Sequence, residues 1–252
     1  MFDCADATAA LDGTDPRVTE ESVWCVPGTD HSGTVLLVGV VHDHPASVTR
    51  AARLVEALDP DILALELPPL AVSLFELYAH DDHTPPRLGG EMSAALQAAS
   101  DARAVGIDAP NPRYLRRLAR QLLADRPPRA VTVSVLRDLV AVSAHALACR
   151  RGALLGTSTP LRPRIYEHLQ HDSSLLDSPD VQAADERAHL AQHRAFLGAI
   201  ELPPKTLLVD GLREETMAAR LDALRREGDV VAVVGMEHAP PLSARLTGDP
   251  PQ

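Results

Sequence analysis

Two matched segments, one near each end of the chain, constrain its fold more than any other feature. Val35–His42 reads VLLVGVVH, and Val230–His238 reads VVAVVGMEH. Each is an uninterrupted, largely β-branched apolar run followed by Gly, two residues and His. A strand with one face in water alternates apolar and polar residues. A continuous run belongs to a strand covered on both faces, as in a parallel sheet between helices. The residues after the first run agree. Val48, Ala51, Ala52, Val55 and Leu58 recur at helical spacing behind His44-Pro45, and Asp59-Pro60 stops that helix. Ile62–Leu67 is then a second buried strand, closed by Pro68-Pro69. Strand, helix and strand in that order predict a βαβ unit with parallel strands.

The expected class is therefore α/β, a mainly parallel sheet flanked by helices. The 252 residues, 45% of them apolar, suit one domain with a substantial core. We expect that core over about 31–124 and 202–246, with a helical insertion over about 125–201. Residues 1–30 show no clear periodicity and read as a frayed or strand-like lead-in. Tyr78–Leu88 reads as a polar loop. Gly89-Gly90-Glu91-Met92 opens a helix, Ala104–Asp108 is a short strand, and Pro110 and Pro112 begin a helix through Leu123. Lys205–Glu227 reads as a long helix ended by Gly228-Asp229, and the tail Thr247–Gln252 as disordered.

Composition removes several function classes. With 35 acidic and 24 basic residues the net charge is −11, which argues against a protein that binds nucleic acid by neutralising phosphates. The best candidate for a membrane span, Val131–Ala148, is broken by Arg137, Asp138 and His145, so none is expected. The opening MFDCADATAALDGTD has no basic region and no apolar stretch, and a soluble cytoplasmic protein is the expectation. Cys4, Cys25 and Cys149 are odd in number, far apart and without a CxxC, so neither a disulfide framework nor a zinc ribbon is expected. Arginine supplies 23 of the 24 basic residues, a bias that genome composition alone can produce.

The chemistry gathers at strand ends. In a parallel sheet His42 and His238 lie beyond the carboxyl ends of their strands, the edge where open α/β sheets bind ligands. Glu66, near the end of Ile62–Leu67, is costly to bury unpaired and requires a metal, an arginine or backbone donors. Two imidazoles and one carboxylate form a candidate divalent-metal site, the ion being Mn, Fe, Co or Zn. Taken singly, each has an ordinary structural reading: a hydrogen-bonded surface His, or a Glu in an ion pair. Their matched placement is what raises a shared site. Glu91, behind Gly89-Gly90, is a candidate general base or metal ligand, and equally a carboxylate at the favourable end of a helix dipole. Arg213 shares a helical face with Met217, Leu221 and Leu224, so it is expected to pair a buried carboxylate or clamp an anion. Glu66, Glu91 and Asp108 are the candidate partners, and Asp108 before Ala-Pro is also ordinary turn chemistry. His44 is expected to point away from His42. His80 and His83 read as solvated. His145, His168, His171, His189 and His193 lack trusted ligand spacing. HExxH, GxSxG, P-loop and GxGxxG motifs are absent from the sequence.

At these residues the chain resembles the TraB/PrgY family, within the wider group of Tiki-type proteases. The resemblance rests on Gly39-Val40-Val41-His42, Pro60–Leu67, Gly89-Gly90-Glu91-Met92, Ile107-Asp108-Ala109-Pro110, Leu212–Met217 and Gly235-Met236-Glu237-His238, in that order. It implies a metal-dependent, hydrolase-like site built from the paired histidines and a glutamate, with pheromone shutdown or peptide cleavage as the associated roles. The leading expectation is a hydrolase of a peptide or related amide or ester: metal on His42, Glu66 and His238, Glu91 as base or ligand, Arg213 stabilising an oxyanion, and Asp108 beside it. The alternatives are a protein that captures a peptide or small ligand in the same cleft without turnover, and a purely structural ion-pair network.

Overall fold

The structure, a computed structural model, describes residues 2–10, 13–158, 165, 169–200 and 203–248. The two apolar runs form the centre of one sheet. Among the described residues its strands are β1 (Val23–Val26), β2 (Val35–Val40), β3 (Ile62–Leu65), β4 (Arg103–Gly106) and β5 (Val230–Gly235), in the order β1-β2-β5-β3-β4. β2, β5, β3 and β4 run parallel, and β1 is an antiparallel edge. Every residue of β2, β3 and β5 is buried, which explains their unbroken apolar sequence.

Side chains alternate across each strand, so the same runs feed two cores. On one face Leu36, Val38 and Val40 pack with α2 (Pro45–Leu58), α3 (Val72–Ala79) and α4 (Gly90–Ala98) through Leu54, Val55, Phe75, Tyr78 and Met92. On the other face Leu37, Ala64, Ala232 and Val234 meet α8 (Pro204–Leu224) and α9 (Ala239–Thr247) through Met217, Leu221 and Leu242. A smaller core of Tyr114, Leu118, Val135 and Leu212 joins α8 to α5 (Pro112–Asp125) and α6 (Arg129–Ser158).

The expected βαβ unit has parallel strands, but they are not neighbours. β5, from the far end of the chain, lies between β2 and β3, bonded to both in parallel register. That insertion sets the two Gly-x-x-His segments side by side. The lead-in is more ordered than its sequence suggested: α1 (Cys4–Ala10) and a 3-10 turn over Glu20–Ser22 precede β1. Cys4 and Cys25 form a disulfide between α1 and β1, contrary to the sequence expectation, with Cα atoms 5.7 Å apart. Their separation in sequence hid a pairing made by the antiparallel edge strand. The expected loop also starts later. Tyr78 belongs to α3 and is buried, a short helix with no capping side chain to reveal it. In the expected tail, Thr247 ends α9 and Gly248 caps it in the left-handed region, φ 83°. Residues 249–252 lie outside the described part.

Between 125 and 200 the described residues are mostly those of two helices, α6 and α7 (Pro179–Ala199), with a non-helical stretch over 169–178 before α7. α6 is long and apolar enough to cross a membrane by length and composition, despite Arg137 and Asp138. α7 is fastened to the sheet by a buried ion pair. Arg50 of α2 is 1% exposed and places Nη1 and Nη2 2.8 and 2.7 Å from the two carboxylate oxygens of Glu186. Its Nε donates to the Gly39 carbonyl at 3.1 Å, and Nη1 also donates to the Arg17 carbonyl at 2.7 Å. His44, fully buried, works beside it: Nδ1 accepts the Ala46 N–H at 3.1 Å and caps α2, so Nε2–H faces Asp185 at 3.1 Å.

Removing the carboxylate charge strands Arg50 in the core, so Glu186→Gln should cost about 3–5 kcal/mol in a denaturant titration. A change under about 1 kcal/mol would show the pair to be dispensable. Burial also holds His44 below its usual pKa, more strongly than Glu186 and Asp185 raise it. Burial works against the charged form of Glu186 too, but Arg50 outweighs it and the carboxyl stands below its ordinary value. Groups with depressed folded pKa values lose their stabilising contribution as pH falls. The share of stability that His44 and Glu186 hold is therefore lost on acidification, beginning below about 6.5 for His44. A His44 imidazole midpoint at or above 6.5 in a chemical-shift titration would contradict its neutral, capping role.

Candidate functional site

Parallel register delivers the candidate residues to one edge. His42 follows β2, Glu66 follows β3, Asp108 lies two residues beyond β4, and His238 lies three beyond β5. Gly235, last in β5, is the point about which three of them converge. A Cβ built there would lie 3.4 Å from Glu66 Oε2, 3.7 Å from His238 Cδ2 and 3.9 Å from His42 Nε2. A Cβ at Gly235 would thus stand in ordinary van der Waals contact with all three, whereas at Gly39 it would clash with Met236 and Trp24, 2.8 and 2.9 Å from its notional position.

Arg213 is the hub. Its Nε and Nη2 donate to the two oxygens of Asp108 at 2.9 and 2.8 Å, and Nη2 also donates to Glu66 Oε1 at 2.7 Å. Nη1 lies 3.2 Å from His238 Nε2, which accepts when the ring is neutral because a guanidinium only donates. Glu66 Oε2 accepts the Gly235 N–H at 2.6 Å. Burial opposes the charge on Arg213, yet Asp108 and Glu66 more than compensate and raise its pKa further. Arg213 thus contacts two of the three candidate carboxylate partners, Glu66 and Asp108.

Glu91, the third, pairs elsewhere. It is 1% exposed, accepts from His42 Nδ1 at 2.8 Å and from the Asp43 N–H at 2.9 Å. The Gly89-Gly90 pair makes that approach possible. Both have positive φ, 85° and 51°, and a Cβ at Gly90 would lie 2.2 Å from Asp43 Oδ1. With Nδ1 fixed, His42 keeps Nε2 on the cavity side. The hydrogen bond from Glu91 raises the His42 pKa to about 9, against the opposing effect of burial. At His238, burial and Arg213 favour the neutral ring, but Glu214 and Glu66 favour the charged one and prevail, so its pKa is raised. Glu214 Oε1 is 3.5 Å from His238 Nδ1.

A cavity of about 420 Å³ opens over these groups. His42, Glu66, Arg213 and His238 line one side; Leu169, Leu190, Val40 and Met236 add apolar surface. Three residues that sequence reasoning set aside form the remaining wall: His171, His189 and His193. His171 donates from Nε2 to the His42 carbonyl at 2.8 Å, and its ring meets those of His44 and His189 edge-on at 4.8 and 5.5 Å. His193 lies 3.5 Å from Glu237. The i, i+4 spacing of His189 and His193 was visible, but the carboxylate beside them comes from another part of the chain. His80 and His83 are exposed in the loop, as expected. His145 is exposed on α6, and His168 lies outside the described residues.

A metal on His42, Glu66 and His238 would need donors turned to one point. Both Glu66 oxygens are already used, by Arg213 and by the Gly235 N–H, and the guanidinium stands against His238 Nε2. Among the described residues, groups of three or more His, Cys, Asp or Glu side chains arranged to hold an ion are absent. In this arrangement the residues do not fit a resident metal, because a guanidinium holds the place a cation would take. No protein-family model, curated protein or solved structure matches the chain.

Glu91 is the group that keeps His42 basic, so Glu91→Gln should return the His42 titration from about 9 toward the ordinary 6.5. Imidazole chemical shifts followed against pH would report it. An unchanged His42 midpoint would mean that Glu91 does not govern this ring.

Proposed function

We propose that the cleft binds a peptide or related amide or ester and hydrolyses it. The observation that carries this reading is that His42, its ring held from behind by buried Glu91, and Arg213 line one cavity. The resemblance to the TraB/PrgY family supports the same reaction class through the ordered motifs.

Hydrolysis needs a proton acceptor for attacking water, charge stabilisation at the carbonyl oxygen, and a proton for the leaving group. His42 suits the first and last roles. Glu91 holds its ring in one tautomer, Nε2 receives the proton from water, and the imidazolium returns it to the departing amine or alkoxide. Arg213 suits the second. Of its five N–H groups, three face Asp108 and Glu66 and one faces His238. The remaining Nη1 hydrogen has Asp210 Oδ1 at 3.8 Å, beyond hydrogen-bond reach, which leaves it for a substrate oxygen. Asp108 and Glu66 hold the guanidinium in position. The apolar lining and the volume suit a short peptide segment.

The raised pKa sets the pH dependence. If neutral His42 accepts the proton, the active form is a minority at pH 7, and kcat/KM rises with pH toward about 9. His42→Ala should lower kcat/KM by about 100-fold or more on a cleaved peptide. Wild-type rates from His42→Ala would end the proposal. Metal analysis of protein purified without a histidine tag, offered Mn, Fe, Co and Zn in turn, tests the metal-dependent form that the resemblance implies. Near-stoichiometric metal, lost in the His42→Ala/His238→Ala double variant, would replace the guanidinium-centred reading with a metal-centred one.

Capture without turnover is the second reading. It draws on the full engagement of Glu66 and Asp108 by Arg213, a compensated network that need not change during binding. A peptide that binds and is recovered intact after long incubation would favour it.

A further inference from the structure

The outer surface of α5 and α6 is unlike the rest of the molecule. Residues 112–158 carry nine arginines against Asp125 and Asp138, a net +7, in a chain whose overall net charge is −11. Eight of the nine arginines are exposed, Arg117 being the half-buried one. The same surface is apolar. On α6, Val133, Val140, Leu147 and Leu154 recur every seventh residue and, with Leu136, fall on one side of the helix, all exposed. Val140 is 68% exposed, and Leu123 at the end of α5 is 76% exposed. The packed face of α6 is a different one: Val135 enters the small core with Tyr114, Leu118 and Leu212, while Cys149 and Ala153 join the core around α3.

We infer that the α5–α6 surface docks on an anionic lipid bilayer, the helices lying in the plane of the headgroups. Basic side chains beside exposed aliphatic ones are what an interfacial helix presents: the arginines meet anionic headgroups and the aliphatic side chains enter the acyl boundary. The charge contrast orients the molecule, because the remaining surface carries the acidic excess and is repelled. A second copy is a poor occupant, since a two-fold contact would place this basic surface against itself. A nucleic acid would use the arginines and leave the aliphatic stripe in water.

Co-sedimentation of the full chain with vesicles tests this. The probes are phosphatidylcholine alone and phosphatidylcholine with 30% phosphatidylglycerol (about a third), in low and high salt. We expect binding to the anionic vesicles at least tenfold tighter than to the neutral ones, weakened by salt. Each arginine near the surface is worth about fivefold, so Arg116→Gln/Arg120→Gln/Arg137→Gln should weaken binding by roughly 100-fold. Val133→Ser/Val140→Ser should weaken it by about tenfold or more while far-ultraviolet circular dichroism stays unchanged. No binding to anionic vesicles at low salt would overturn the inference. So would equal binding to both vesicle types, or binding to single-stranded RNA that matches vesicle binding and ignores the valine substitutions. Retention in the membrane after alkaline carbonate extraction would replace surface docking with a spanning α6.

Discussion

One guanidinium ties together three strand ends. Arg213 comes from α8 and reaches Asp108 beyond β4, Glu66 beyond β3 and His238 beyond β5. Two carboxylates this buried would repel each other and resist burial without a cation between them. The arginine therefore does for the sheet edge what the hydrophobic effect does for the two cores: it makes one arrangement of α8 against the strands strongly preferred. Because its planar fork is satisfied by geometry as well as charge, a lysine could not serve the same three partners.

A second arginine performs the corresponding task on the opposite face. Arg50 binds Glu186 of α7 while also bonding the carbonyl of Gly39 in β2. α7 thus reaches the site as a fixed wall. That is why His189 and His193, distant in sequence from the strand ends, line the cavity that His42 and His238 line. The cleft lies between two ion-paired frames, and the groups with shifted pKa values, His42 and His238, occupy the space between them.

The parallel sheet was legible because a strand buried on both faces has no polar residues to hide its run. Glu66, Asp108, Arg213 and the two Gly-x-x-His histidines were legible for the same reason: a charged or imidazole side chain at the end of an apolar strand, or on an apolar helix stripe, is out of place unless something binds it. What escaped notice had no such contrast. Tyr78 begins no pattern change, so α3 merged with the loop. Cys4 and Cys25 are 21 residues apart with no flanking motif, and only the antiparallel pairing of β1 brings them together. Glu91 reads from the sequence as a base or ligand, but its contact with His42 depends on two positive-φ glycines that aim the helix end.

By itself, then, the sequence determined which segments are buried strands, which strand ends carry titratable groups, and that an arginine on α8 needs an anionic partner, a carboxylate or a bound anion. Local hydrophobicity and periodicity are properties of contiguous residues, and they survive in one dimension. Only the tertiary structure decided that β5 enters between β2 and β3, that Arg213 takes Glu66 and Asp108 while Glu91 takes His42, and that α7 closes the cavity with imidazoles. Those choices depend on strand order and on distances between residues far apart in the chain, such as Val35 and Val230, paired across β2 and β5, or Glu66 and Gly235, 169 positions apart. No local pattern encodes them, because several carboxylates could satisfy each cation, and packing alone selects the pairs that are close enough to bond.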